Sequence, residues 1–123
     1  MGEVLWDNFP TYKKAGGASL NVALRLHSLK NDVKLISSLG NDPDGKDLNN
    51  YIKSKGLSLD YIQHNSEHST STVEVVLDHK GLASYTIKKP CAWDYIVLTN
   101  ELISIVKNSK AFLFGSLIAR SKT

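Results

Sequence analysis

The sequence predicts an α/β fold with a small β appendage. Apolar strand-like runs alternate with amphipathic helical runs over residues 3–56, breaker clusters separate them, and two runs of period two follow near residue 70. The 123 residues suffice for one domain, which buries roughly two-thirds of its unfolded surface and so can hold a sizeable core. A composition of 41% hydrophobic and 22% charged residues is that of a packed globular protein and not of a disordered chain.

Residues 3–6 read as a buried strand with Asp7 at its carboxyl end. Gly16 and Gly17 open the next helix, in which Leu20, Ala23, Leu24, Leu26 and Leu29 share one broad face opposite Arg25 and Ser28. After the turn at Asn31 and Asp32, residues 33–37 read as a second strand, completing a parallel β–α–β unit with the first. The breaker cluster 40–45 precedes a helix carrying Leu48, Tyr51, Ile52 and Lys55, stopped by Gly56. Asp42 and Asp44 are expected to cap that helix.

Val73, Val75 and Leu77 then alternate with polar residues, as do Ala83, Tyr85 and Ile87. The sequence Asp78-His79-Lys80-Gly81 supplies a turn between them, so the two runs form a β-hairpin. Residues 100–107 are helical through Leu102, Ile103 and Val106, and 110–114 read as a strand. Residues 116–123 resemble the start of another βα connection with no helix left to cover the sheet, which points to a fragment or a chain needing a partner.

Position gives the glycine pair its interest. In α/β sheets, ligands sit at the carboxyl ends of strands. Glycine lacks a Cβ, so backbone approaches a ligand closely, and free N–H groups at a helix start bind oxygen atoms. Asp7 adds an acceptor and Asn21 a two-way amide, which together suit hydroxyl groups.

Other chemistries find less support. The net charge is +3, but the lysines are dispersed and aromatic residues do not alternate with basic ones, so no nucleic-acid partner is expected. Cys91 is the single cysteine, which excludes an internal disulfide and a Cys-x-x-Cys zinc pair and suits a reducing cytoplasm. No apolar run spans a bilayer and no export signal is read, so a soluble cytoplasmic protein without membrane association is expected. His64 and His68 are four apart in a segment read as loop, a poor metal site. Asp42-x-Asp44-Gly45 fails as a calcium loop, because Gly40 and Tyr51 fall where carboxylates are needed. No Gly-x-Ser-x-Gly, Walker lysine loop or Gly-x-Gly-x-x-Gly occurs.

Four ordered segments carry a family resemblance. They are Gly2-Glu3-Val4-Leu5-Trp6-Asp7-Asn8-Phe9-Pro10, Gly16-Gly17-Ala18-Ser19-Leu20-Asn21-Val22-Ala23, Ser37-Ser38-Leu39-Gly40-Asn41-Asp42-Pro43-Asp44-Gly45 and Phe114-Gly115-Ser116-Leu117-Ile118-Ala119-Arg120. Together they resemble the ribokinase-like (PfkB) carbohydrate kinases, with the first segment, Ala92-Trp93-Asp94 and Gly115-Ser116-Leu117 most similar to the bacterial fructokinase branch.

The resemblance implies a ribokinase-like three-layer α/β/α core, of which residues 1–123 are an incomplete N-terminal part, and a β lid with strands at about 9–13 and 72–87. It implies an ATP-dependent sugar kinase, with fructose the leading acceptor and ribose, another sugar or a nucleoside the alternatives. Its sugar pocket would use Asp7, Gly16, Gly17 and Asn21, with Tyr85 or Ile87 above the sugar and Arg120 near the sugar or its developing phosphate. ATP and magnesium are implied as cofactors. The family's Gly-Ala-Gly-Asp motif, which carries the general base, is absent, so no catalytic, nucleotide or metal residue is assigned and the chain alone is expected to be inactive. Pairing of two copies through the lid is a further expectation. A non-catalytic sugar-binding or assembly module stands as the reading from another class.

Overall fold

A computed structural model of the chain describes residues 1–121. Its regular elements run β1 (Leu5–Asn8), β2 (Lys13–Gly16), α1 (Ala18–Ser28), β3 (Ser37–Gly40), α2 (Pro43–Ser54), β4 (Ile62–Asn65), β5 (Ser71–Leu77), β6 (Ala83–Ile87) and α3 (Asn100–Lys107), with short 3-10 turns at Ala92–Tyr95 and Ser116–Ala119. The strands form a four-stranded sheet, ordered β2-β1-β5-β6, and a parallel pair, β3-β4.

The first strand is divided between these two parts of the molecule. At its start, the Gly2 N–H donates to Ile36 O at 3.1 Å, the Met1 amine donates to Leu113 O at 2.7 Å, and the Gly115 N–H donates to Met1 O at 3.0 Å. Residues 1–2 therefore lie between the chain at 36 and the chain at 113–115, extending the β3-β4 pair sideways. Four residues later the same strand has left that group. Leu5–Asn8 pairs antiparallel with β2 and parallel with β5.

This division corrects the expected β–α–β unit. The strand beyond α1 is registered at Ser37–Gly40 and not at 33–37, and its ladder partner is β4, not β1. The physical reason is β2, which returns directly after β1 and takes one of its edges, while β5 takes the other. β4, which contains His64, stands where a loop is expected, because its sequence Ile62-Gln63-His64-Asn65 has one apolar residue and no alternation. Residues 9–12, expected within a strand at 9–13, form a turn closed by Phe9 N–H to Tyr12 O at 2.8 Å, and the strand occupies Lys13–Gly16. Residues 110–114 join no ladder; Phe112, Leu113 and Phe114 stand exposed. The expected connection over 116–123 begins with the 3-10 turn, and its last two residues lie outside those described.

Several expectations match closely. α1 buries Leu20 and Ala23, although Leu29 follows the last turn and is exposed. α2 buries Leu48 and Ile52 against Val4, Leu39 and Ile62, in a core that includes Trp6 and Leu20. The hairpin spans 71–87, and Asp78 Oδ1 accepts from the Lys80 and Leu82 N–H groups to form its turn. Trp93 is fully buried. Among the described residues no helix is long and apolar enough to cross a membrane.

Asp42 does more than cap α2. Its carboxylate accepts from the Gly45 N–H at 2.8 Å, the Thr70 N–H at 2.7 Å and the Thr70 hydroxyl at 2.7 Å, tying the α2 N-terminus to the approach to β5. Burial pushes its pKa up, but the bonds from Thr70 and Gly45, helped by the Lys88 charge, outweigh burial and hold it below its ordinary 3.8. A depressed carboxylate contributes stability that is present above the unfolded pKa and lost as pH falls through the folded one. We expect Asp42→Asn to cost about 1–3 kcal/mol at pH 7. It should also reduce the loss of stability below about pH 4, both read from urea unfolding at pH 7 and pH 3.

Candidate substrate cavity

Where β1 meets the mouth of α1, a hollow of about 280 Å³ opens toward the hairpin. β1 contributes Leu5 and Asp7, and Glu3 lies two residues ahead of it; the start of α1 contributes Gly17 and Ala18. Val73, Tyr85 and Ile87 form the hairpin wall, and Leu117 closes the side toward the chain's end. A larger hollow of about 570 Å³ lies between α3 and the 93–98 segment, walled by Ile36, Trp93, Leu98, Leu102, Val106 and Phe112. Its polar edge holds Met1, Lys107, Ser121 and Asp94, the last already held by Arg120; the smaller hollow is the one that sets the Asp7 carboxylate beside a helix mouth.

Gly16 and Gly17 shape that hollow for different reasons. A Cβ on Gly16 would collide with Asp7 Oδ2, so the missing side chain leaves room for the carboxylate. Gly17 has φ +101°, a conformation that side-chain-bearing residues rarely adopt, and a Cβ there would fall 2.5 Å from the Glu3 carbonyl oxygen. Burial pushes the Asp7 pKa up, and the nearby Lys14 charge, its cross-strand partner, opposes that shift.

Glu3 was read only as part of a buried strand. It is 3% exposed, and its Oε1 accepts the Ala18 N–H at 3.0 Å, so this first helical donor is already satisfied and is not free for a ligand. Its Oε2 is buried and has no partner among the described residues. The available signal is an acid at the head of the apolar run Val4-Leu5-Trp6: carboxylates are seldom fully buried unless something holds them.

Two other candidate residues lie apart from this hollow. Asn21 is exposed on α1 and does not line it. Arg120 makes a two-pronged pair with Asp94, Nε to Oδ1 at 2.7 Å and Nη2 to Oδ2 at 2.6 Å, and lies 4.0 Å over the Trp93 ring. Burial raises the Asp94 pKa, but the Arg120 and Cys91 hydrogen bonds outweigh it and hold the carboxyl below the usual range. Burial pushes the neighbouring Cys91 thiol up to about 11, so it is not a nucleophile at neutral pH.

ATP and magnesium do not fit the residues present. Among the described residues no three His, Cys, Asp or Glu side chains gather as metal ligands. The hollow has no cationic side chain on its walls to receive phosphates.

The fold is that of ribokinase-like sugar kinases, the class of the solved structures that this chain resembles. Residues 4–121 match the pfkB family of carbohydrate kinases, and the chain belongs to that family. It is 26% identical to Probable fructokinase-4 of Arabidopsis thaliana over 130 aligned positions, covering 95% of this chain and 40% of the relative. With the fructokinase of Escherichia coli, identity is 31% over 87 positions, 71% of this chain and 28% of the relative. The structure of Xylella fastidiosa fructokinase with bound ATP superimposes with a TM-score of 0.67 and 30% identity, covering 75% of this chain and 30% of that one. The chain thus spans less than half the length of these relatives.

The glycines give a test that separates packing from binding. Gly17→Ala should destabilise the fold by about 1–3 kcal/mol, since both its φ and the Glu3 backbone resist a Cβ. Gly16→Ala meets the movable end of Asp7 and should cost less stability while displacing the carboxylate. Urea unfolding of both variants checks the order.

Proposed function

We propose that this chain supplies sugar recognition and the lid of an ATP-dependent sugar kinase whose acceptor is fructose. In this reading the whole protein transfers the γ-phosphate of ATP to a sugar hydroxyl. The general base, the nucleotide site and the magnesium site lie outside the 123 residues, and the protein works in the cytoplasm. The observation that carries the reading is the Asp7 carboxylate held beside Gly16 at the α1 mouth, with Tyr85 and Ile87 of the hairpin forming the facing wall. An ionised carboxylate accepts two or more hydroxyl protons, as recognition of a polyol requires.

The four-stranded sheet acts as the lid. Its closure would exclude water, which otherwise competes with the sugar as phosphoryl acceptor. Asn21 joins the site as a hydroxyl ligand once the sugar is bound. Arg120 reaches the sugar or its phosphate only by leaving Asp94, so in the unliganded chain it acts first as a brace. A second copy covers the hairpin's outer side, where Val76 and Leu82 stand at least 60% exposed.

Calorimetric titration of the chain should show fructose binding that Asp7→Ala weakens about 10- to 100-fold, the worth of one charged hydrogen bond. Ribose and inosine in the same assay identify the acceptor. A chain that binds no sugar, or binds fructose equally well without Asp7, overturns the assignment of this cavity. Sedimentation velocity at rising concentration should show a monomer–dimer equilibrium, and a folded monomer throughout removes the lid-mediated pair.

A further inference from the structure

We infer that Glu3 is a specificity-determining residue, whose carboxylate neutralises the N-terminus of α1 and closes the cavity to anionic ligands while leaving it open to neutral polyhydroxylated ones. The inference deepens the sugar-site reading and rests on it.

Helix N-termini attract anions, because unpaired N–H groups and the helix dipole present partial positive charge. α1 is 11 residues long, its N-cap is Gly17 with no side-chain cap, and its first turn holds no acidic residue. The negative group comes from another element: Glu3 Oε1 takes the Ala18 N–H at 3.0 Å. A hydroxyl or amide would satisfy that donor as well. A full carboxylate brings a second oxygen, buried and without a partner among the described residues, which is a costly arrangement for capping alone. A Cβ on Gly115 would fall 2.8 Å from that oxygen, so the backbone beside Leu117 packs over it and screens it from water.

The charge balance of the walls gives this arrangement its consequence. Glu3 and Asp7 line the hollow together, and no Lys, Arg or His lines it. Lys14 faces Asp7 across the β1–β2 ladder but is not part of the wall, and Arg120 is engaged by Asp94. A phosphorylated or carboxylated sugar would meet two carboxylates and a helix terminus already neutralised. A neutral sugar donates its hydroxyl protons to Asp7 and feels no such repulsion from Glu3.

The test follows the backbone amides of Gly17 and Ala18 by NMR in the 123-residue chain, titrated with inorganic phosphate and with fructose 1-phosphate. The wild-type chain should show no saturable shift. Glu3→Gln keeps an acceptor for Ala18 at nearly the same volume and should gain saturable binding, tighter by on the order of tenfold or more. Leu117→Lys adds a compensating cation to the lining while leaving the Glu3 residue in place and should gain it too. Saturable anion binding by the wild type overturns the inference, as does a folded Glu3→Gln chain that remains refractory. Should Glu3→Gln not fold, a refractory Leu117→Lys chain overturns it instead. Fructose is titrated in parallel: failure of the wild type to bind it removes the sugar reading, while the phosphate comparison still decides what Glu3 does.

Discussion

The first eight residues hold the molecule together by serving two sheets. Met1 and Gly2 bond to the chain at 36 and at 113–115, whereas Leu5–Asn8 sits between β2 and β5. Between these ends are Glu3 and Val4, both buried, with Val4 in the main core and Glu3 on the first N–H of α1. A strand shared in this way fixes the four-stranded sheet relative to the core, and it places Asp7 where the two meet. The cavity follows from that geometry, because its walls are the strand, the helix that the strand's carboxylate caps, and the hairpin that the strand pairs with.

Two polar braces maintain the arrangement at a distance from the cavity. The Asp42 carboxylate joins the start of α2 to Thr70, the residue before β5. The Arg120–Asp94 pair has side chains 15% and 5% exposed and ties the last turn to the buried Trp93 segment. Removing one member of such a buried pair leaves an uncompensated charge, which costs far more than the intact pair contributes. A third contact works at the sheet's edge: Lys13 of β2 lies 4.4 Å from the Trp6 ring and pairs with Asp44 and Asp47 of α2. That contact is exposed and correspondingly weak.

Local patterns carried most of the elements. The helical face of α2, the period-two hairpin with its Asp78 turn, the caps at Asp42 and the glycines before α1 were each legible, since each depends on residues close in sequence. β4 was not, because a four-residue strand with one apolar position has no local signal and forms only because β3 lies beside it. The ladder partners of β1 carry no local signal for a related reason. Pairing is decided by which edge is filled first in space, and β2 filled it.

The site divides along the same line. Sequence alone determined the chemistry: an aspartate at a strand end, two glycines at a helix mouth, and a family resemblance that gave them a joint meaning. The tertiary structure decided which groups face one another. It set Asp7 against Gly16, brought Tyr85 and Ile87 to the same hollow, left Asn21 exposed, and committed Arg120 to Asp94. It also showed that Glu3 is the group that occupies the helix mouth. Residue type and local spacing specify what a side chain can bind, but burial, charge balance and partnership belong to segments up to 112 residues apart, and only folding sets them.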